Sequence, residues 1–106
     1  MGVTIENRAL SFNEVKKEID DGLIIEMDVY DANAETYEEK LKTEHAVAIV
    51  GYVTPRDGDK SKVPYYEIWN PWWPSTFYIP ANAETFSLGG VNYKWGRSWH
   101  NWRHNG

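Results

Sequence analysis

Between residues 45 and 54 the chain reads HAVAIVGYVT, a run that is apolar on both faces and rich in β-branched residues. Such a run fits a central strand covered on both sides. It is followed by the turn cluster PRDGDKSKVP and then by YYEIWN, residues 65 to 70, which returns as a second strand. The two form a β-hairpin with a long polar loop, and the rest of the chain has to pack around it.

Upstream, SFNEVKKEIDDG places Glu14 three residues after Ser11, the spacing of a capping box. Phe12, Val15 and Ile19 share one face and Gly22 stops the run, so a helix is expected from about 12 to 20. LIIEMDVYD then alternates, with Ile25, Met27 and Val29 on one side and Glu26, Asp28 and Tyr30 on the other, as in a half-buried strand. Residues 31 to 44 are polar and read as a loop with one helical turn near Tyr37 and Leu41. Pro71 and Pro74 end the return strand, and TFYIP and VNYKW are two further short strands joined by ANAETFSLGG with its double-glycine turn. GRSWHNWRHNG fits a short last strand or a docked tail. One helix followed by about five antiparallel strands implies an α+β fold, the helix packed on a curled antiparallel sheet or small β-barrel. The whole span, 1 to 106, reads as a single domain, without repeats or linkers.

Charge and composition exclude several functions. The formal charge is −5 and no basic run exceeds a pair, which argues against a nucleic-acid partner held through phosphates. No apolar run is long enough to span a bilayer, so no membrane partner is expected. The absence of cysteine removes disulfides, thiolate metal sites and thiol nucleophiles. Residues 1 to 44 hold twelve of the acidic residues against five basic ones, whereas all six Trp lie between 69 and 102. Recognition is therefore expected in the second part. MG directly before a strand-like stretch reads as an expression start with a signal or pro-segment left out.

If the hairpin folds about its loop, residues whose numbers sum to about 116, give or take two, face each other. His45 at the start of one strand then lies beside Asn70 at the end of the other. An amide oxygen that accepts the ring N–H fixes the tautomer and orientation of an imidazole, leaving its other nitrogen to act as a base. Trp72, two residues on, is placed to cover that bond and exclude water. The same spacing also suits a half-buried polar pair with no catalytic role.

These residues, His45-Ala46-Val47-Ala48-Ile49-Val50-Gly51-Tyr52 and Ile68-Trp69-Asn70-Pro71-Trp72, give the chain its resemblance to the papain-like cysteine peptidases, most closely the bacterial staphopain group. The resemblance covers roughly residues 10 to 96 and implies the β-barrel half of that fold. It assigns His45 as general base and thiolate partner, Asn70 as its orienter and Trp72 as the shield of their bond. Bacteriocin-processing peptidases share the HAV strand but typically place Asp where this chain has Asn70. The chain holds neither the nucleophilic Cys nor the Gln that supplies an oxyanion donor in the family. It is therefore expected to be inactive alone, as a fragment, a split-chain subunit or a degenerate homologue. The implied partners are a peptide or protein substrate and a separate Cys-bearing half or chain, with no cofactor, in a secreted or cell-surface bacterial setting. Ser11, Ser61, Ser75, Ser87 and Ser98 all lie in cap, loop or turn contexts, so no substitute nucleophile stands out.

Three other features invite a function. His100 and His104 have the i, i+4 spacing of a helical metal pair, but no acidic residue follows, and no metal is expected. Trp95, Trp99 and Trp102 with Arg97 and Arg103 form either a stacking surface for sugars or peptides or a set of rings that closes the barrel and packs on the helix. The loop residues Arg56, Asp57, Asp59, Lys60 and Lys62 read as a solvated turn. The alternative to a peptidase half is a non-catalytic peptide-, cell-wall- or protein-binding module with a Trp-rich surface.

Overall fold

The computed structural model describes residues 2–56 and 62–103. Its elements are β1 (Gly2–Glu6), α1 (Phe12–Asp20), β2 (Ile25–Asp31), α2 (Tyr37–Thr43), β3 (His45–Val53), β4 (Tyr65–Trp69), β5 (Phe77–Pro80), β6 (Thr85–Leu88) and β7 (Val91–Arg103). The fold is α+β. All strand pairs are antiparallel, in the order β1-β7-β2-β3-β4-β5, with β6 hairpinned onto β7. The sheet curls without closing, which decides between the two architectures expected from sequence. No described helix is long and apolar enough to cross a membrane.

α1 begins where the capping box places it. Ser11 Oγ accepts from the Glu14 N–H at 3.2 Å, and the Ser11 N–H donates to Glu14 Oε1 at 2.8 Å. Arg8 clamps the same carboxylate with two bonds of 2.8 and 2.6 Å and holds it well below the ordinary range, at about 2. The helix lays Val15, and the segment before it Leu10, on the concave face of the sheet, in one core with Ile25, Met27, Val29, Val47, Ile49 and Ile68. Phe12 sits at one end of this core, stacked on Tyr66 and edge-on to Tyr52, and burial pushes the Tyr66 phenol up to about 12.

Four elements differ from the sequence expectation: β1 and β6 are strands beyond the five expected, β6 forming within the ANAETFSLGG joining stretch, and two others run longer than expected. Residues 37 to 43 form a full helix, α2, because Thr36 caps it through the Glu39 N–H at 3.1 Å and Glu38 pairs with Lys42 at i, i+4. The VNYKW stretch does not end as a short strand. It continues through GRSWHNWR as β7, 13 residues that pair with β1, β2 and β6.

β7 keeps one identity over this length because two irregularities reset its alternation. Gly96 is bulged between the pairs Asp28–Arg97 and Val29–Trp95. A Cβ there would lie 2.4 Å from the Tyr30 ring, so no larger residue fits without moving that ring. Asn101 adopts φ +58, the left-handed conformation asparagine tolerates, opposite the irregularity between Gly2 and Thr4. It turns Trp102 onto the face that carries Trp99, where the two indoles stack at 6.4 Å.

On the concave side His100 ties three elements together. Its Nδ1 meets Glu18 of α1 at 2.8 Å and its Nε2 meets Glu6 of β1 at 2.5 Å. His100 of the expected metal pair thus lies on a strand and is engaged by carboxylates. His104 lies outside the described residues, as do Asp57, Asp59, Lys60 and Ser61. Among the described residues no cluster of three or more His, Asp or Glu could hold a metal.

Candidate functional site

The β3–β4 hairpin pairs Ala48 with Trp69 and Ile49 with Ile68, then slips by one at Val50 so that Gly51 faces Glu67. The sums are 117 and 118, within the range expected from the loop. Strict extension of this register would set Asn70 opposite Val47, two residues short of His45, but β4 ends at Trp69 and the chain turns. The Trp73 N–H donates to the Asn70 carbonyl at 3.1 Å, closing a tight turn that swings the Asn70 side chain back over the start of β3.

The contact follows from that turn. His45 Nε2 lies 2.9 Å from Asn70 Oδ1, and the backbone N–H of Trp72 donates to the same oxygen at 3.2 Å. The second bond fixes the first. A peptide N–H can only donate, so the atom it faces is the amide oxygen and not the nitrogen. The imidazole nitrogen sharing that oxygen must therefore carry a proton, and in the neutral ring Nδ1 is the basic nitrogen. Nδ1 has no hydrogen-bond partner among the described residues.

Aromatic groups wall the pair. Trp72 stacks on the His45 ring at 4.1 Å and 19° while keeping half its own surface exposed, and Tyr93 approaches the other way at 6.3 Å. Trp73 meets Trp72 edge-on at 5.9–6.2 Å spacing along the row Trp72, Trp73, Phe77. The β6–β7 turn completes the wall. Gly89 and Gly90 both have positive φ, as a two-residue hairpin loop of this kind requires, and Gly89 lies against the Trp72 ring. Asn70 is wholly buried, and its Nδ2 has no partner among the described residues. A buried donor left without a partner costs stability.

Sequence reasoning brought His45, Asn70 and Trp72 together, and the three do meet. It did not find Tyr93 or Gly89, which arrive from β7 and from the β6–β7 turn. The signal for Gly89 was the double glycine, whereas nothing local marks Tyr93 as a neighbour of His45.

The tryptophans of β7 do not form one surface. Trp95 turns inward, edge-on to Tyr66 and half-buried against the core, with its Nε1–H on the Arg97 carbonyl at 3.0 Å. Trp99 and Trp102 lie on the opposite, convex face. Arg97 is spent there on Asp28 at 2.7 Å and Glu44 at 2.8 Å, and Trp99 Nε1–H also donates to Asp28 at 2.7 Å. The separation of Trp95 from the others is the work of the Gly96 bulge. The described part of Arg103 is its backbone in β7.

Beside this network the Glu26 carboxyl is held above its ordinary range, first by burial and then by the negative charge of Asp28. The folded state therefore binds the Glu26 proton more tightly than the unfolded chain. The stability this contributes is present below the ordinary glutamate value of about 4.3 and is lost as pH rises through the raised one. Glu26→Gln is expected to raise the thermal midpoint at neutral pH and to leave it unchanged near pH 3. A variant less stable than the parent at neutral pH would contradict this.

No protein-family model and no curated protein sequence matches this chain.

Proposed function

We propose that this chain is the His- and Asn-bearing barrel half of a papain-like cysteine peptidase of the staphopain-like branch, inactive without a Cys-bearing half. The observation that carries this reading is the shared Asn70 oxygen. It takes the His45 Nε2–H and the Trp72 N–H together, beneath the Trp72 indole, and leaves Nδ1 basic and unengaged. A lone polar pair at a strand edge does not need its amide held so that one ring tautomer is selected. A base that must present one chosen nitrogen does.

In this reading a thiol from the other half gives its proton to Nδ1, forming a thiolate–imidazolium pair. The thiolate attacks the peptide carbonyl, and the Nδ1 proton passes to the departing amine as the C–N bond breaks. His45 then removes a proton from water, which attacks the thioester and regenerates the thiol. Asn70 keeps the ring aligned through both transfers. The substrates are peptides or proteins, and the setting that goes with this branch is secreted or cell-surface.

The test pairs the encoding gene with an assay. A Gln and then a Cys at the head of a helix are expected upstream of Met1 or in a companion chain. The joint product should cleave a peptide substrate and be labelled by a thiol-directed peptidyl probe, while the isolated chain does neither. Cleavage by the purified chain alone would overturn the claim that it lacks a nucleophile. Failure of any thiol-bearing partner to yield activity would overturn the peptidase reading itself.

A further inference from the structure

The convex face of the sheet carries a second feature, independent of His45. Register alone defines it: Trp99 of β7 faces Glu26 of β2, Glu26 faces Ala48 of β3, and Ala48 faces Trp69 of β4. Residues paired across strands share a face, so these four side chains form one row, about 14 Å from end to end at the usual strand spacing. The row is tall at both ends and low in the middle. Trp69 stands at one end, 45% exposed, and Trp102 stacks on Trp99 at the other. Ala46 and Ala48 make the floor between them. The groove that results has a volume of about 380 Å³ and is lined mainly by Ile24, Ala46, Ala48, Trp69 and Trp102, with the Glu26 carboxyl at its base.

From these features we infer that the convex groove between Trp69 and the Trp99–Trp102 stack is a binding site for a neutral glycan of β-1,4-linked pyranose rings. A ring with equatorial substituents is apolar on its faces and polar at its edge. The groove matches both parts, with indole walls and a methyl floor for the C–H faces, and the Glu26 carboxyl as an acceptor for hydroxyls at the edge. A polypeptide is matched less well. β2, β3 and β4 are each paired on both sides, so no strand edge is open beneath the groove to take the amides of an added strand. Those amides would face methyls and indoles, and a buried amide without a partner is costly. Charge narrows the choice among glycans. Among the described residues the one charged group lining the groove is the Glu26 carboxyl, and Arg97 beyond it is engaged by Asp28 and Glu44, so acidic polysaccharides are disfavoured there. The desolvation that holds the Glu26 carboxyl above its ordinary range is that of an apolar, partly enclosed site.

α2 covers the other end of the same face, with Lys40 over the Tyr30 ring at 5.0 Å, which leaves the Glu26 end uncovered. Side chains at 46, 48 and 69 point away from those at 45, 47 and 70. The groove and the His45 site therefore lie on opposite sides of the sheet, and the binding inferred here does not depend on the peptidase reading.

The test is titration of the chain with the β-1,4-linked hexasaccharides of glucose and of N-acetylglucosamine, followed by calorimetry and by the indole N–H resonances. At least one should bind saturably and move the Trp69 and Trp102 signals. Trp69→Ala should weaken binding tenfold or more, and Ala46→Gln, which fills the exposed floor without touching the core, should do the same with an unchanged thermal midpoint. Trp72→Ala, on the other side of the sheet, should bind as the parent does. A polygalacturonate oligomer should not bind. No saturation with either hexasaccharide at millimolar concentration would overturn the proposal, as would unchanged binding by Trp69→Ala. A protein partner that protects Trp69 and Trp102 in the absence of any glycan affinity would replace it.

Discussion

If the chain is the peptidase half proposed above, replacing His45 with alanine is expected to lower peptide hydrolysis by the complete enzyme about 10⁴-fold while sparing the fold of this chain. The fold survives because the imidazole is only half-buried, opens β3 rather than sitting within it, and packs chiefly on the exposed Trp72 ring. The proposed activity should not survive, because no other described side chain beside Asn70 is a base placed to take a thiol proton. Asn70→Ala should give a smaller loss with a distinct signature. Without the shared oxygen nothing selects the Nε2–H tautomer, so ¹⁵N–¹H correlation of the neutral ring should change from one tautomer to a mixture. A parent ring already mixed, or an Asn70→Ala ring still held as Nε2–H, would remove Asn70 as the positioning residue. That measurement needs only the isolated chain, so it separates the local geometry from the question of a partner.

What could be foreseen from sequence follows the range of the interactions. α1 was legible to its ends because a capping box and a glycine are local signals, and the α1 capping bonds are those the spacing implies. The hairpin was legible because strand composition and a turn cluster are local too, and its register fell within two residues of the expectation. The His45–Asn70 contact was approached by the right route but made by a detail beyond it. The register alone does not deliver the amide; the turn after Trp69 does. The long β7 was the least legible element. A run of GRSWHNWR has no clean alternation, and none was to be expected. Its phase is reset at Gly96 by the Tyr30 ring and at Asn101 by a left-handed residue, both set by partners distant in the chain. The same resets separate Trp95 from Trp99 and bring Trp102 to Trp99. Composition had pointed to a Trp-rich surface, but only pairing could say which indoles share a face.

The second large effect is expected at Ile49. It has no exposed surface, and its cross-strand partners are Ile25 on one side and Ile68 on the other, also without exposed surface. This three-residue row is the last before Val50 interrupts the β3–β4 ladder, and it lies between the helix-covered core and the turn that holds Asn70. Ile49→Ala removes methylene and methyl groups from a place where three strands and α1 limit collapse. The loss should fall at about 2–5 kcal/mol, a large part of the about 5–15 kcal/mol that holds a domain folded. Urea denaturation followed by fluorescence should show the midpoint falling with an unchanged slope. Ile49→Val, which keeps the branch, should cost about 0.5–1.5 kcal/mol, and Val53→Ala, at an exposed position, about 0.5 kcal/mol or less. If Ile49→Ala were as mild as Val53→Ala, the row would not be the packed centre described here. The functional consequence differs in kind from that at His45. The His45–Asn70 bond lies at the rim, so molecules of Ile49→Ala that remain folded should still select the Nε2–H tautomer. Activity lost through Ile49 should follow the unfolded fraction and return on cooling or with stabilising osmolyte, whereas activity lost through His45 should not return.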